Sequence, residues 1–217
     1  MTCEVTVVDY GLGNLFSVGR ALERCGAIVT ISDDPLVISK APRLVLPGVG
    51  AFDNGMLGLI ERRLDTVIQD YTASGRPLLG ICLGMQLMAT MGEEFGQHVG
   101  LNIIPGRVIA IPKVDADGLP HKIPHIGWAS LEMPPERNDW GGSILTDISP
   151  GASVYLVHSY HFVPDDPAHR LADCYYNGIR ISAALRLNNV TGCQFHPEKS
   201  GHVGLRIIHE FLSQASG

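Results

Sequence analysis

The 217-residue chain is 45% hydrophobic and 18% charged, with a net charge of -6, a balance that excludes a disordered protein and predicts one folded domain over 1–217. At this length folding removes roughly 70–75% of the unfolded chain's surface from water, so a core forms without disulfide or metal staples. Sixteen Lys and Arg stand against twenty-two Asp and Glu with no basic run, and nucleic acid is not an expected partner.

The longest uncharged apolar-leaning stretch, 77–92, contains Gly80, Gly84, Gln86 and Thr90 and is shorter than the roughly 18 residues a spanning helix needs, so no membrane association is expected. The five cysteines, Cys3, Cys25, Cys82, Cys174 and Cys193, are scattered and never form CxxC, which argues against a disulfide framework or a zinc knuckle. With no basic leader or cleavage site after Met1, the expected location is cytoplasmic.

From Glu4 to Asp9 the residues are mostly β-branched and apolar, then Tyr10-Gly11-Leu12-Gly13-Asn14 breaks the run before Leu15, Val18, Ala21 and Leu22 recur at helical spacing. The reading is strand, turn, helix. Ala27 to Ser32 and Arg43 to Pro47 are two further strands, the latter running into Gly48-Val49-Gly50. A helix is predicted from Met56 to about Tyr71 with Leu57, Ile60, Leu64 and Val67 on one face. Pro77 to Ile81 is a fourth apolar strand, and the chain turns helical from Gly84. Uniformly apolar strands alternating with helices predict an α/β fold, a mostly parallel central sheet flanked by helices. Between Leu101 and Leu145, short runs such as Ile103-Ile104 and Val108 to Ile111 are punctuated by Pro and Gly, which predicts a smaller antiparallel portion. Ser153 to Ser159, Leu171 to Tyr176 and Ile179 to Leu187 read as strands, and His202 to Leu212 as a closing helix.

The sharpest chemical signal is Gly80-Ile81-Cys82-Leu83-Gly84, where a buried strand gives way to a helix. A G-x-nucleophile-x-G junction is a nucleophile elbow, its glycines permitting a strained turn that lifts Cys82 above the sheet edge, and the helix N-terminus favours a thiolate there. A small core cysteine between packing glycines is an equally good reading of the pentapeptide alone. A thiolate nucleophile needs a base and a group to orient it. Gln194-Phe195-His196-Pro197-Glu198 offers an imidazole and a carboxylate two residues apart, which in extended chain project to one side. The loop Pro47-Gly48-Val49-Gly50 can turn a backbone amide inward to receive an oxyanion, with the Leu83 amide as second donor; the plainer alternative is an ordinary turn.

Cys82 in its elbow, the 47–50 loop and the His196-Pro197-Glu198 ending resemble the class I (triad) glutamine amidotransferases. The whole chain is similar to their imidazole glycerol phosphate synthase glutaminase subunits. The likeness also rests on Asp9-Tyr10-Gly11-Leu12-Gly13-Asn14-Leu15, Ile104-Pro105-Gly106-Arg107-Val108, Pro124-His125-Ile126-Gly127-Trp128, Val157-His158-Ser159-Tyr160 and His196-Pro197-Glu198-Lys199-Ser200-Gly201. The resemblance implies that Cys82, His196 and Glu198 are catalytic, that Val49 and Leu83 serve the oxyanion, and that Gly48, Gly50, Gln86, Ser159 and Tyr160 hold glutamine. It implies no metal or organic cofactor. It further implies a heterodimer with a (β/α)8 cyclase subunit that receives the ammonia and makes imidazole glycerol phosphate and an aminoimidazole carboxamide ribotide. Asn14, Trp128 and Lys199 match positions facing that cyclase; as plain residue types they are a helix cap, a half-buried indole and a solvated lysine. Two departures from the family pattern, Ala129-Ser130 in place of an Asn and a long segment at 133–142, are expected near the partner face. The competing readings are a non-catalytic scaffold, a glutaminase serving another synthase or a surface-sugar amidating relative, and a metal hydrolase. For the last, His158/His161 and His121/His125 lack HExxH spacing.

Overall fold

A computed structural model describes residues 3–214. Strands β1 (Cys3–Val8), β2 (Ala27–Ser32), β3 (Leu44–Leu46) and β4 (Leu78–Ile81) alternate with helices α1 (Leu15–Arg24), α2 (Pro35–Lys40), α3 (Phe52–Glu61) and α4 (Leu64–Ala73). Helix α5 (Leu83–Leu87) and the short strands β5 (Met91–Gly92), β6 (His98–Val99), β7 (Gly106–Ala110), β8 (His125–Ser130), β9 (Ser153–His158) and β10 (Tyr160–Pro164) come next. The chain closes with β11 (Arg170–Tyr176), β12 (Ile179–Leu187), β13 (Val190–Cys193) and α6 (Gly201–Ser213).

The main sheet has the order β11-β12-β13-β4-β3-β1-β2. Its strands from β13 to β2 are parallel, and β12 and β11 complete it antiparallel. Strands β1, β3, β4 and β13 are buried on both faces, which is why they are apolar without alternation, whereas β2 at the edge leaves Ile28 and Ile31 exposed. One core joins Val5, Val7, Val45, Leu79 and Ile81 to α1 and to Ile207 and Phe211 of α6. The other joins Leu44, Leu46 and Leu78 to Ile38, Phe52, Leu59, Ile68 and Tyr71 on α2, α3 and α4. A smaller mixed sheet, β10-β7-β5-β6, and the hairpin β8-β9 sit beside the main sheet.

The helix expected from Met56 to Tyr71 is two helices, α3 and α4, broken where Arg63 takes a left-handed conformation at φ 58. Because the phase changes at the break, the expected apolar face is wrong for α3. Leu57 and Ile60 are 54% and 50% exposed, and Met56, Leu59 and Phe52 face the core. Helix α2 had no counterpart in the sequence reading, although Asp34-Pro35 marks it: the Asp34 carboxylate accepts from the Leu36 N–H at 2.8 Å and Pro35 fills the first turn. Ile103-Ile104 forms no strand.

The segment 133–142, expected near the partner face, is seen packed on the main sheet. It packs along β11, the edge of the main sheet, where Trp140 is 4% exposed and its Nε1–H donates to the Leu171 carbonyl at 2.7 Å. Arg137 Nε donates to the Arg170 carbonyl at 2.6 Å, and Glu136 pairs with Arg180, which also binds the buried Asp173. An open edge strand exposes unpaired backbone groups, and this segment caps them.

Candidate active site

Strand β4 ends at Ile81 and α5 begins at Leu83, so Cys82 occupies the junction alone, with φ 53 and ψ -110. The strain expected of the elbow falls on the cysteine itself. Neither Gly80 nor Gly84 has a positive φ; their role is close approach. A Cβ on Gly84 would lie 1.8 Å from the Leu46 carbonyl oxygen, and one on Gly80 would lie 2.8 Å from the Met88 side chain. The Cys82 side chain faces a cavity, yet the residue is only 7% exposed.

Strand β13 lies parallel beside β4, with Cys193 opposite Ile81 and the Cys82 N–H bonded to the Cys193 carbonyl at 2.7 Å. This pairing carries His196 to the nucleophile. His196 and Glu198 do not meet through extended chain: residues 197–199 form a 3-10 turn that swings the carboxylate back, and Oε1 of Glu198 accepts from His196 Nδ1 at 2.8 Å. Both side chains are almost fully buried, at 2% and 1% exposure. The carboxylate fixes the proton on Nδ1, leaving Nε2 toward Cys82. Burial disfavours a charged imidazole here, but contact with Cys82 and Glu198 outweighs it and raises the His196 pKa to about 9.

The cavity, of about 300 Å³, is lined by Val49, Gly50, Cys82, Leu83, Gln86, Ser159, Tyr160 and His196 among the predicted residues. Gly48 is not among them. It lies behind the loop, where a Cβ would meet the Tyr10 hydroxyl at 2.3 Å and the Leu83 Cβ at 2.8 Å. Tyr10 donates to the Pro47 carbonyl at 2.7 Å and so holds the start of the 47–50 loop; burial and the nearby Cys82 push its hydroxyl pKa far above the ordinary value. Leu83, at the first position of α5, has an N–H with no acceptor inside the helix. Gln86 donates from Nε2 to the Tyr160 carbonyl at 2.9 Å and to Gln194 Oε1 at 3.0 Å.

Sequence reasoning missed five residues at this site, one of them Val157, which lines the cavity and whose carbonyl faces the Cys82 sulfur at 4.0 Å. Glu94 lines the cavity and accepts from the Phe52 N–H at 2.8 Å; nothing in its local sequence marks it. Pro124 and His158 also line the cavity. Gln194, 0% exposed, donates to the Cys82 sulfur at 3.7 Å, and its place two residues before His196 is a usable signal. Asn14, Trp128 and Lys199 line no part of the cavity. Asn14 caps α1 by accepting from the Ser17 N–H at 3.3 Å, Trp128 is 58% exposed on β8, and Lys199 is exposed.

A thiol, an imidazole and a carboxylate arranged in series at the C-terminal end of a parallel sheet define a triad protein of the α/β class. Residues 6–215 match the family model for the class-I glutamine amidotransferases. The chain is 51% identical over 208 residues to imidazole glycerol phosphate synthase subunit HisH 1 of Legionella pneumophila (strain Paris), covering 96% of this chain and 98% of the relative. It is 45% identical over 208 residues to the HisH subunit of Syntrophotalea carbinolica, covering 95% and 98%. The chain belongs to the class-I glutamine amidotransferases and, within them, to the family of imidazole glycerol phosphate synthase subunit HisH. Among solved structures, PurLQS from Thermotoga maritima matches with a TM-score of 0.70 at 19% identity, covering 98% of each chain. A crystal structure of a glutamine amidotransferase matches at 0.71 and 16% identity, covering 96% and 99%. At such identities the likeness is one of fold.

Proposed function

We propose that this chain is the glutaminase subunit of imidazole glycerol phosphate synthase, a single-domain cytoplasmic protein working in a heterodimer with the cyclase subunit in histidine biosynthesis. The observation that carries the reading is His196, fixed by the Glu198 carboxylate at 2.8 Å, lining the same cavity as Cys82 with its Nε2 unpaired. Among the described residues no helix is long and apolar enough to cross a membrane.

In this mechanism the Cys82 thiolate attacks the side-chain amide carbon of glutamine. The carbonyl oxygen takes up the electron pair and is met by the Leu83 N–H and by an amide of the Val49 loop. Collapse of the tetrahedral species forms the thioester and expels nitrogen, which leaves as ammonia after His196 Nε2–H donates its proton. His196 then accepts a proton from water, the hydroxide attacks the thioester, and glutamate departs as the thiolate is restored. Glu198 stabilises the imidazolium at each stage where His196 carries both protons. The Glu94 carboxylate at the cavity wall suits the substrate's α-ammonium, and Gln86, whose two amide hydrogens are already engaged, keeps Oε1 free to accept a bond from glutamine. Ser159 and Tyr160 would hold the substrate through their backbone.

The exposed indole of Trp128, with Ile126 beside it at 60% exposure, gives β8 an apolar outer face suited to the cyclase, and Asn14 and Lys199 would flank the same junction. The test is ammonia release from glutamine by the chain alone and with a cyclase subunit and its nucleotide ligand. Activity rising sharply in the mixture is expected, because the loop at Val49 needs a peptide rotation that a partner stabilises. The variant Cys82→Ala should lose glutamine-dependent synthesis and keep synthesis from ammonium salts; loss of both, or of neither, refutes the reading.

A further inference from the structure

We propose that Gln194 is a positioning residue of this site, its side-chain amide donating to the Cys82 sulfur so that the thiolate, rather than the thiol, is the favoured form facing the cavity. The proposal deepens the glutaminase reading and rests on it.

Gln194 follows β13 directly. Its backbone N–H is bonded to the Ala183 carbonyl of β12 at 2.9 Å, and its neighbour Cys193 accepts from the Cys82 N–H at 2.7 Å. The residue after a strand locked in register with β4 therefore stands beside the residue after β4. Its side chain is 0% exposed, and a buried amide is costly unless both ends are satisfied. Two contacts satisfy it: Gln86 Nε2 to Oε1 at 3.0 Å, and Nε2 to Cys82 Sγ at 3.7 Å.

The polarity of this chain of bonds is set from its far end. The Tyr160 carbonyl can only accept, so both of its partners, Gln86 Nε2 and His158 Nδ1 at 2.9 Å, are donors. His158 is held neutral, burial pushing its pKa down to about 3, so its Nε2 accepts from His125 Nδ1 at 3.2 Å. With the Gln86 amide oriented in this way, Gln194 Oε1 accepts and Nε2 donates, and sulfur is the acceptor it reaches.

Around Cys82 the two protonation states then meet different partners. A thiol hydrogen has the Val157 carbonyl, at a long 4.0 Å. A thiolate has the Gln194 amide at 3.7 Å, and hydrogen bonds to a charged acceptor are about twice as strong as neutral ones. The titratable groups that bear on the sulfur are His196 with Glu198 behind it, Tyr10 across the 47–50 loop, His158 from β9 and Glu94 at the cavity wall. None of them occupies the place of the Gln194 amide.

The experiment is iodoacetamide alkylation of the full chain from pH 5 to 9, following the peptide that contains Cys82 by mass spectrometry, which separates it from the other cysteines. Gln194→Met, which keeps the bulk and removes the donor, should slow alkylation at pH 7 roughly tenfold and move the rate–pH profile up by about one unit. Gln194→Glu, of equal size, puts a carboxylate beside the sulfur and should move it further in the same direction. Alkylation profiles of folded variants that superimpose on that of the parent overturn the proposal, and if Gln194→Met fails to fold, Gln194→Glu alone decides. Alkylation needs no glutamine turnover, so this result is independent of the Cys82→Ala test, whose failure would instead remove the glutaminase reading.

Discussion

Replacing Gly84 by Ala tests how tightly the nucleophile is held. The added methyl would sit 1.8 Å from the Leu46 carbonyl oxygen, whereas ordinary contact begins at 3.4 Å, so helix and strand must part by about 1.6 Å. Strand β3 cannot give way easily, since it is paired with β1 on one side and β4 on the other and Leu46 is fully buried. The displacement therefore falls on the first turn of α5, which carries the Leu83 N–H and, just before it, Cys82. Overpacking of this kind costs about 2–3 kcal/mol, and moving a reacting group by about 1 Å costs on the order of a hundredfold in rate. Urea unfolding and glutamine-dependent kcat/KM in the complex read the two effects separately. Synthesis from ammonium salts should be unchanged. Gly19→Ala is the control: it lies in α1 with nothing nearer than 3.9 Å and should stabilise by about 0.5–1 kcal/mol. A Gly84→Ala protein within about 0.5 kcal/mol of the parent and equally active would show that the elbow does not depend on this close approach.

Two more outcomes can be measured by unfolding. Burial lowers the pKa of His158 to about 3 and of His161 to about 4 from 6.5, so the folded state binds fewer protons than the unfolded one. Their contribution is present above pH 6.5 and is lost as pH falls toward those values, at about 1.4 kcal/mol per pH unit for each group. His196 runs the other way: raised to about 9, it contributes fully below pH 6.5 and is lost as pH rises through 9. Stability should thus peak near pH 6.5, and an acid limb as steep in His158→Gln as in the parent would contradict the assignment. Trp140→Phe removes the buried bond to the Leu171 carbonyl and should cost about 1–3 kcal/mol. Binding of the cyclase should not change, because the segment ends at Gly142, which Arg186 holds at 2.6 Å beside Asn188, near the start of β4 and away from Cys82; weakened binding would return this segment to the partner face.

What was legible in the sequence follows from how local each cause is. The strands 27–32 and 179–187 were readable to the residue because apolar β-branched runs ended by turn residues need no distant partner to be recognised. The break at Arg62-Arg63 was not, since it depends on a left-handed arginine that no turn residue announces, and the apolar spacing ran across it. The cysteine, the histidine and the carboxylate can be picked out by type and motif, and the strained turn at Cys82 follows from the flanking glycines, which let strand and helix approach closely. The extended-chain reading of His-x-Glu does not hold, because a 3-10 turn joins the pair. Gly48, matched to the substrate by resemblance, lies outside the cavity lining, in a space so close to Tyr10 and Leu83 that only glycine fits. Glu94 and His158 reach the cavity only through the smaller sheet and the hairpin, and long-range pairing of that kind leaves no local trace.

One feature of topology accounts for the site's compactness. Inserting β13 between β12 and β4 joins the end of the chain to its middle, so that residues more than a hundred positions apart become neighbours in register. Cys82 then stands against Gln194, His196 comes to the sulfur two residues later, and Glu198 returns to His196 within a single turn. On the other flank Leu46 of β3 brings the 47–50 loop to the opposite side of the same cysteine. Nucleophile, base and oxyanion loop are thus the ends of three adjacent parallel strands. Slipping β13 by one residue against β4 would move Gln194 and His196 to the wrong face together, so the register of this central, fully buried strand sets the site.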